Sequence, residues 1–313
     1  ATTASTIEFS ENGLFSAISP QSSVLSINVP LGLQFGTTPG NIINRSISGN
    51  INGDTNITGS PTGLQISTGK TLGLLGGDIL FDDGNLTVEG GNIEITSIQE
   101  PGKITFQKTN SSLIFNHRFI NSFGNIELVN TSVIDVAAEN NGSINLTGNN
   151  IIVEDSLINA GIIDSDINSN QAGDINLNAT ENILLIGAGS GVNNNIFQNS
   201  IGNSGDINLS AKSLDVFEGS QINANTFGLG NTGDINIEID ETVIIKDPNS
   251  RINSQIAPGG MGITGNISLI ADSLKLQNSG QLFTGIFANG SAGNIDIRVT
   301  ELIEIKSADS FIS

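Results

Sequence analysis

The feature that most constrains the fold is a repeat. A Gly-Asp/Asn-Ile start recurs at Gly173-Asp174-Ile175, Gly205-Asp206-Ile207, Gly233-Asp234-Ile235, Gly265-Asn266-Ile267 and Gly293-Asn294-Ile295, with spacings of 32, 28, 32 and 28 residues. A weaker copy, Gly142-Ser143-Ile144, lies 31 residues upstream of the first. The alternation makes the full unit a pair of turns, 60 residues long. A fixed period of this size is the signature of a repeat architecture, in which each unit buries its apolar face only by stacking on its neighbours.

Within each copy the apolar residues fall at every second position: Ile175, Leu177 and Ala179, then Ile207, Leu209 and Ala211, then Ile235, Ile237 and Ile239. The column continues through Ile267, Leu269 and Ala271 to Ile295, Ile297 and Val299. Period two places them on one face of a strand. A second strand follows, as in Asn182-Ile183-Leu184-Leu185 and Thr242-Val243-Ile244-Ile245, and then a third, as in Gln221-Ile222-Asn223-Ala224 and Arg251-Ile252-Asn253-Ser254. No apolar stripe of helical period has useful length. The pattern predicts an all-β chain, a right-handed parallel β-helix with three short strands per turn and roughly 20–32 residues per turn, each turn stacking at ~4.8 Å. Roughly 10 turns are expected, a rod about 50 Å long at that spacing. A propeller is the main rival, but its blades need longer units and aromatic signatures. This chain has no Trp and no Tyr.

Composition then narrows the function. The 313 residues carry 11 Lys+Arg against 31 Asp+Glu, a net charge of −20, with no basic cluster. Phosphate contacts need cations, so nucleic acid is a poor partner. With no Cys there is no disulfide, thiolate metal site or Cys nucleophile, and a single His excludes a His-cluster metal site. No apolar run approaches the ~18 residues of a membrane helix. An acidic, Cys-free chain rich in Asn, Gly, Ser and Thr suits a bacterial exoprotein that crosses membranes unfolded. The start at Ala1, without an initiator Met, reads as a processed or truncated piece of something longer.

The earlier half is tighter. Gly77-Asp78-Ile79, Gly84-Asn85-Leu86 and Gly91-Asn92-Ile93 lie seven residues apart and read as three sides of one compact turn of about 21 residues. Residues 1–75 hold four of the seven Pro (Pro20, Pro30, Pro39 and Pro61) and are expected to form an irregular start to the β-helix, with loops or a small hairpin outside it. Residues 76–313 are expected to be one continuous solenoid.

Four segments carry a family resemblance: Ala1-Thr2-Thr3-Ala4-Ser5-Thr6-Ile7-Glu8-Phe9, Asn28-Val29-Pro30-Leu31-Gly32-Leu33-Gln34-Phe35-Gly36, Gly69 to Ile79, and Gly84 to Ile95. In this order they resemble the filamentous-haemagglutinin-like exoproteins of two-partner secretion common in cyanobacteria. The specific match covers residues 1 to about 95, and the remainder resembles the family's degenerate repeats. The resemblance implies a signal and a secretion domain upstream, export through an outer-membrane transporter, and folding at the cell surface. The family's Asn-Pro-Asn-Gly box is absent, so the chain is expected to begin after most of that domain.

Candidate chemistry is thin. His117, beside Arg118, has no evident partner and reads as a surface or turn residue rather than a base. Asp82-Asp83 is the best acid pair. β-Helix polysaccharide hydrolases and lyases cluster carboxylates on the outer face, yet Asp and Gly here also favour a turn. Asp174, Asp206 and Asp234 share one column, where carboxylates ~5 Å apart repel. Either a cation bridges them or each accepts a backbone N–H at its own turn, and Asn266 and Asn294 continuing the column favour the local hydrogen bond. No catalytic, cofactor-binding or metal residue is therefore assigned, and no cofactor is expected. The four Arg (Arg45, Arg118, Arg251 and Arg298) are widely separated.

The function expected is a non-enzymatic, extracellular structural or adhesive rod presenting loops and polar ladders for attachment or for fibre or sheath formation. The alternative is a polysaccharide-active β-helix enzyme, a lyase or hydrolase. Partners expected are the export transporter, a polysaccharide or cell-surface receptor, and either further turns of a longer polypeptide or end-to-end self-association, since both ends should present bare coil faces.

Overall fold

The structure, a computed structural model, describes residues 1–9, 14–17, 30–49, 55–108 and 113–313. Pro20, Asn28 and Val29 lie outside the described residues. Among the described residues there are only strands, turns and bends.

Six long strands carry the regular stack: Ser143–Glu154, Ile175–Ile186, Ile207–Phe217, Ile235–Lys246, Ile267–Gln277 and Ile295–Lys306. Each pairs parallel with the next. Every pairing has a register shift near its middle, such as that between Ala211 and Ser213. The shift divides each strand between two faces of the solenoid. In Ser143–Glu154, Ile144 to Thr147 pair with Ile93 to Thr96, while Ile151 to Val153 pair with Ile126 to Leu128. The first two elements of each turn, expected as separate strands, are thus one strand bent at a bulge. No Gly or Pro interrupts Ala179-Thr180-Glu181, and a bulge turns the chain without breaking the ladder.

The third face is a separate nine-stranded parallel sheet that includes Leu157–Ile162, Gly191–Ile196, Gln221–Thr226, Arg251–Ile256 and Gln281–Ile286. The compact early turn has the expected form. Ile79–Asp82 lies on the second face, Leu86–Thr87 on the third and Asn92–Ser97 on the first. The stack also reaches back into the first 75 residues, where Ile42–Asn44, Leu64–Gln65 and Thr71–Gly76 pair parallel with those three strands.

All three faces turn alternate residues into one continuous core. Ile207, Ile235 and Ile267 are fully buried on the first face, as are Ile183, Leu214 and Val243 on the second, and Ile158, Ile222 and Ile252 on the third. The in/out phase is the one read from the period-two pattern. Close stacking also explains the glycine that opens each repeat. A Cβ at Gly233 would lie 2.1 Å from the Gly205 carbonyl oxygen, and one at Gly265 would lie 2.0 Å from that of Gly233.

A fourth ladder was not foreseen. Asp166 pairs with Ile201, Ile201 bridges to Leu229, Leu229 to Met261, and Met261 pairs with Asn289. Its marker is a second glycine column, Gly202, Gly230, Gly262 and Gly290, at φ between 147° and 159°. A Cβ at Gly230 would lie 1.5 Å from the Gly202 oxygen, so no other residue fits there.

The regular run expected from residue 76 onward is interrupted. Gly102–Lys108 and Leu113–Phe119 pair antiparallel with each other, and the first of them pairs antiparallel with Pro30–Phe35. With Thr6–Phe9 and Leu14–Ser16 they form a five-stranded sheet. This sheet has its own small core of Leu33, Phe35, Leu75, Ile98, Ile104 and Ile120, flanked by an edge-to-face pair, Phe106 and Phe115, at 5.0 Å. The hairpin expected before residue 76 is present as Thr6–Phe9 with Leu14–Ser16. The edge of Thr71–Gly76 is not bare: Thr2 bridges to Leu75, and the Thr3 N–H donates to its carbonyl.

Candidate functional site: polar ladders and a groove on the third face

The stack turns every repeated outward residue into a ladder. In the aspartate column the Asp174 carboxylate accepts the backbone N–H of Asp206 at 2.9 Å, and Asp206 accepts that of Asp234 at 2.8 Å. Asp234 accepts the N–H of Asn266 at 2.6 Å, and the Asn266 amide oxygen accepts that of Asn294 at 2.9 Å. Each side chain thus ties down the next turn rather than its own. Burial pushes the Asp206 carboxyl up, opposed by the Asp234 N–H, and the charges of Asp174 and Asp234 add to the rise. The neighbouring charges of the column thus work against ionisation of Asp206, and the Asp234 N–H works for it.

Amides form the neutral counterpart. Asn236 donates to Asn208 at 2.9 Å, Asn208 to Asn176 at 2.8 Å, and Asn176 to Asn145 at 2.7 Å. Asn145 donates to Glu94 at 2.7 Å. The ladder ends there on a carboxyl that burial pushes up to about 7, against the effect of the Asn145 bond. An amide is both donor and acceptor, so identical residues stacked at the strand spacing satisfy one another turn after turn.

The third face carries a groove. Its floor is one register column, Thr87, Asp135, Asn159 and Asn193. Thr87 and Asp135 line a cavity of about 850 Å³, while Asn159 and Asn193 line a second of about 470 Å³. Ile57 lines both. The loop bearing Asn56 closes over this face. The Asn56 oxygen accepts from the Thr58 N–H, the Thr58 hydroxyl and the Ser60 N–H, which turns its Nδ2 the other way. Asp135 holds the loop, accepting the Ile57 N–H at 2.7 Å, and accepts the Ala137 N–H at 2.9 Å. Burial pushes its carboxyl up to about 6, those two bonds oppose the rise, and Glu89 adds to it. Nothing in the sequence marked this groove, because its walls come from segments far apart in the chain.

The residues singled out from the sequence do not converge. Asp82 ends its strand and Asp83 takes φ 51°, the turn geometry expected of them. Asp82 accepts from Asn130 at 2.7 Å and from Arg45 at 2.8 Å, and these bonds hold its carboxyl below the usual range. His117 was expected at the surface or in a turn. It lies half-buried in Leu113–Phe119, its Nε2 2.9 Å from the Thr96 hydroxyl, and burial pushes its pKa down. Of the other arginines, Arg251 donates to Gln221 and Arg298 pairs with Asp296. Among the described residues no group of three or more His, Cys, Asp or Glu is placed to hold a metal ion.

A family model described as the TPS secretion domain matches residues 1–146. No curated protein and no solved structure matches the chain. The matched span takes in the five-stranded sheet, the compact early turn and the start of the first long strand. The match and the stack together support a secreted exoprotein of two-partner secretion, a class in which the secretion domain implies an outer-membrane transporter during export. Within that class the chain fits a filamentous-haemagglutinin-like exoprotein, and the match corrects the expectation that the chain begins after most of the secretion domain, since residues 1–146 themselves match it.

Proposed function

We propose that the chain is a structural and adhesive rod held at the cell surface. The observation that carries this reading is the continuous parallel stack, whose core and outward ladders repeat from turn to turn. Such a stack is stiff along its axis and offers extended surface rather than one catalytic pocket. The division proposed is an irregular start over 1–75, which already lends three strands to the stack, and a solenoid over 76–313 interrupted at 102–119, the five-stranded sheet drawing on both parts. The weaker alternative, a polysaccharide-active enzyme, finds little support at the acid pair. Asp82 is held ionised by Arg45 and Asn130 and is a poor proton donor.

Negative-stain imaging of the purified chain and of the native cell surface tests the proposal. Rods on both, together with adherence of chain-coated beads to cells or matrix, are expected. Compact particles without adherence would overturn it. Release of reducing ends or unsaturated sugars from acidic polysaccharides would favour the enzyme.

A further inference from the structure

We propose that two copies of this chain pair side by side, antiparallel, through the corner between the third face and the fourth ladder. The inference goes beyond the adhesive reading and does not depend on it, since it needs only the stack.

Charge is the first reason. A chain of net charge −20 repels its own kind wherever carboxylates face one another. At this corner they do not. Residues 187–205, 219–233, 252–271 and 276–295, which carry the third face and the fourth ladder in successive turns, contain no charged residue. Arg251 begins its third-face strand, at the edge away from this corner. Acidic side chains of the same turns, such as Glu181, Asp215, Glu238 and Asp240, lie on the long strands of the first two faces. The corner is also apolar. Leu229, Met261 and Ile263 are 43%, 50% and 52% exposed. Leu229 and Met261 share a column of the fourth ladder with Ile201, and Ile263 follows Met261 in its strand. With half-buried Phe197 and Phe227 they form a patch of a few hundred Å², the size at which exposed apolar surface marks an interaction site.

Shape names the partner. The passage from the third face to the fourth ladder is alternately long and short. Residues 197–200 and 257–260 are turns in which the Ser200 N–H donates to the Phe197 carbonyl and the Gly260 N–H to that of Ala257. Between them in the stack, only Phe227 and Gly228 separate Thr226 from Leu229. Gln198, Asn199, Pro258 and Gly259 are exposed, whereas Gly228 is buried. A Cβ at Gly228 would lie 2.3 Å from the Ser200 carbonyl oxygen. Two ridges thus flank a groove, and Phe197, Gln198, Phe227 and Pro258 line the cavity of about 470 Å³ there. Ridge and groove are one strand spacing apart, ~4.8 Å, and follow the alternation of 28 and 32 residues. A surface of that period complements a copy of itself displaced by one turn. Rotation about a two-fold axis between the turns of Leu229 and Met261 brings Pro258 of each copy to the Phe227 groove of the other. The same rotation sets Met261 against Leu229, so the contact is isologous. An unrelated globular partner would not carry this period.

The test is sedimentation equilibrium of the full chain from about 10 µM to about 1 mM. The patch is smaller than a tight interface needs, so the 32.4 kDa monomer should dominate at the low end and dimer should accumulate at the high end. Raising salt from about 50 to about 500 mM should strengthen pairing several-fold, because screening relieves the repulsion and spares the apolar contact. Leu229→Glu, which puts a carboxylate into the contact, should weaken pairing about tenfold or more. If that variant melts at a lower temperature, disulfide trapping decides. The chain has no Cys, so any disulfide joins two copies. Under oxidation a mixture of Leu229→Cys and Met261→Cys chains should yield mixed dimers, while Glu238→Cys, exposed on the first face, should stay monomeric. Three results would overturn the proposal. They are a monomer at every concentration, pairing that Leu229→Glu leaves unchanged (as end-to-end stacking would), and mixed dimers no more abundant than those of the Glu238→Cys control.

Discussion

The two halves of the molecule bury similar residues by different means. From residue 143 onward each turn repeats the last, so Ile207, Ile235 and Ile267 meet their own kind above and below. In the five-stranded sheet the core is assembled once, from Leu33, Phe35, Ile104 and Ile120, with the solenoid's own Leu75 and Ile98 as its other wall. The stack gains from redundancy, and a defect in one turn is bounded by sound neighbours. The sheet has no second copy of any contact. Repetition makes a region robust and legible, whereas a unique core makes it specific.

Substitutions can break that contrast. The largest effect is expected from Ile235→Asn, which leaves an unpaired amide between two apolar layers. It should cost about 4 kcal/mol by lost core volume and an unsatisfied polar group, measured by denaturant unfolding. Gly230→Ala should follow at about 3 kcal/mol from overpacking and backbone strain, because its Cβ has no room under the Gly202 oxygen. Hydrogen exchange should show that loss spreading only to adjacent turns. Ile104→Ala, at about 2 kcal/mol, should by contrast release protection across the whole five-stranded sheet and leave residues 175–306 unchanged. Release of the stack as well would erase the distinction between the regions.

The pH dependence sharpens it further. Folding raises the Glu94 carboxyl from 4.5 to about 7. The unfolded chain therefore gives up its proton first, and stability should fall as pH rises from about 4.5 through 7. Burial lowers the His117 pKa from 6.5, so that group opposes folding as pH falls below its ordinary value. Both groups lie on the strands where sheet and stack meet, and Glu94→Gln should flatten the upper limb of a melting-temperature profile while leaving the lower limb. The smallest effect belongs to Asn208→Ser, about 1 kcal/mol or less for an outward ladder position. A cost equal to that of Ile235→Asn would invert the assignment of inside and outside.

Legibility followed the same divide. Ile175, Leu177 and their copies could be read because period two and a fixed repeat point to one stacked face. The opening glycines could be read as well, since close backbone approach leaves no room for a Cβ. The antiparallel strands at 102–119 escaped notice because Ile104 and Phe106 alternate just as a solenoid strand does, and periodicity carries no information about the direction of the neighbour. The fourth ladder escaped because its residues, from Asp166 to Asn289, show no apolar alternation. The groove was hidden more deeply. Thr87, Asp135 and Asn159 read singly as ordinary outward polar residues, and only the register of three turns and a covering loop makes them a floor.

The ladder bonds have a kinetic consequence. The aspartate column joins residues 28 or 32 apart and never farther. The loop that must close to add one turn is therefore the same length however many turns precede it, so the entropic cost per turn is constant. Growth of the stack is a local, sequential event with a preformed template of N–H acceptors at its leading edge. The five-stranded sheet is the exception, because joining Pro30–Phe35 to Gly102–Lys108 closes a loop roughly twice as long. Contacts of longer range form more slowly. The slow step in forming this molecule should lie in its first 120 residues, with elongation of the rod fast and nearly independent of its length.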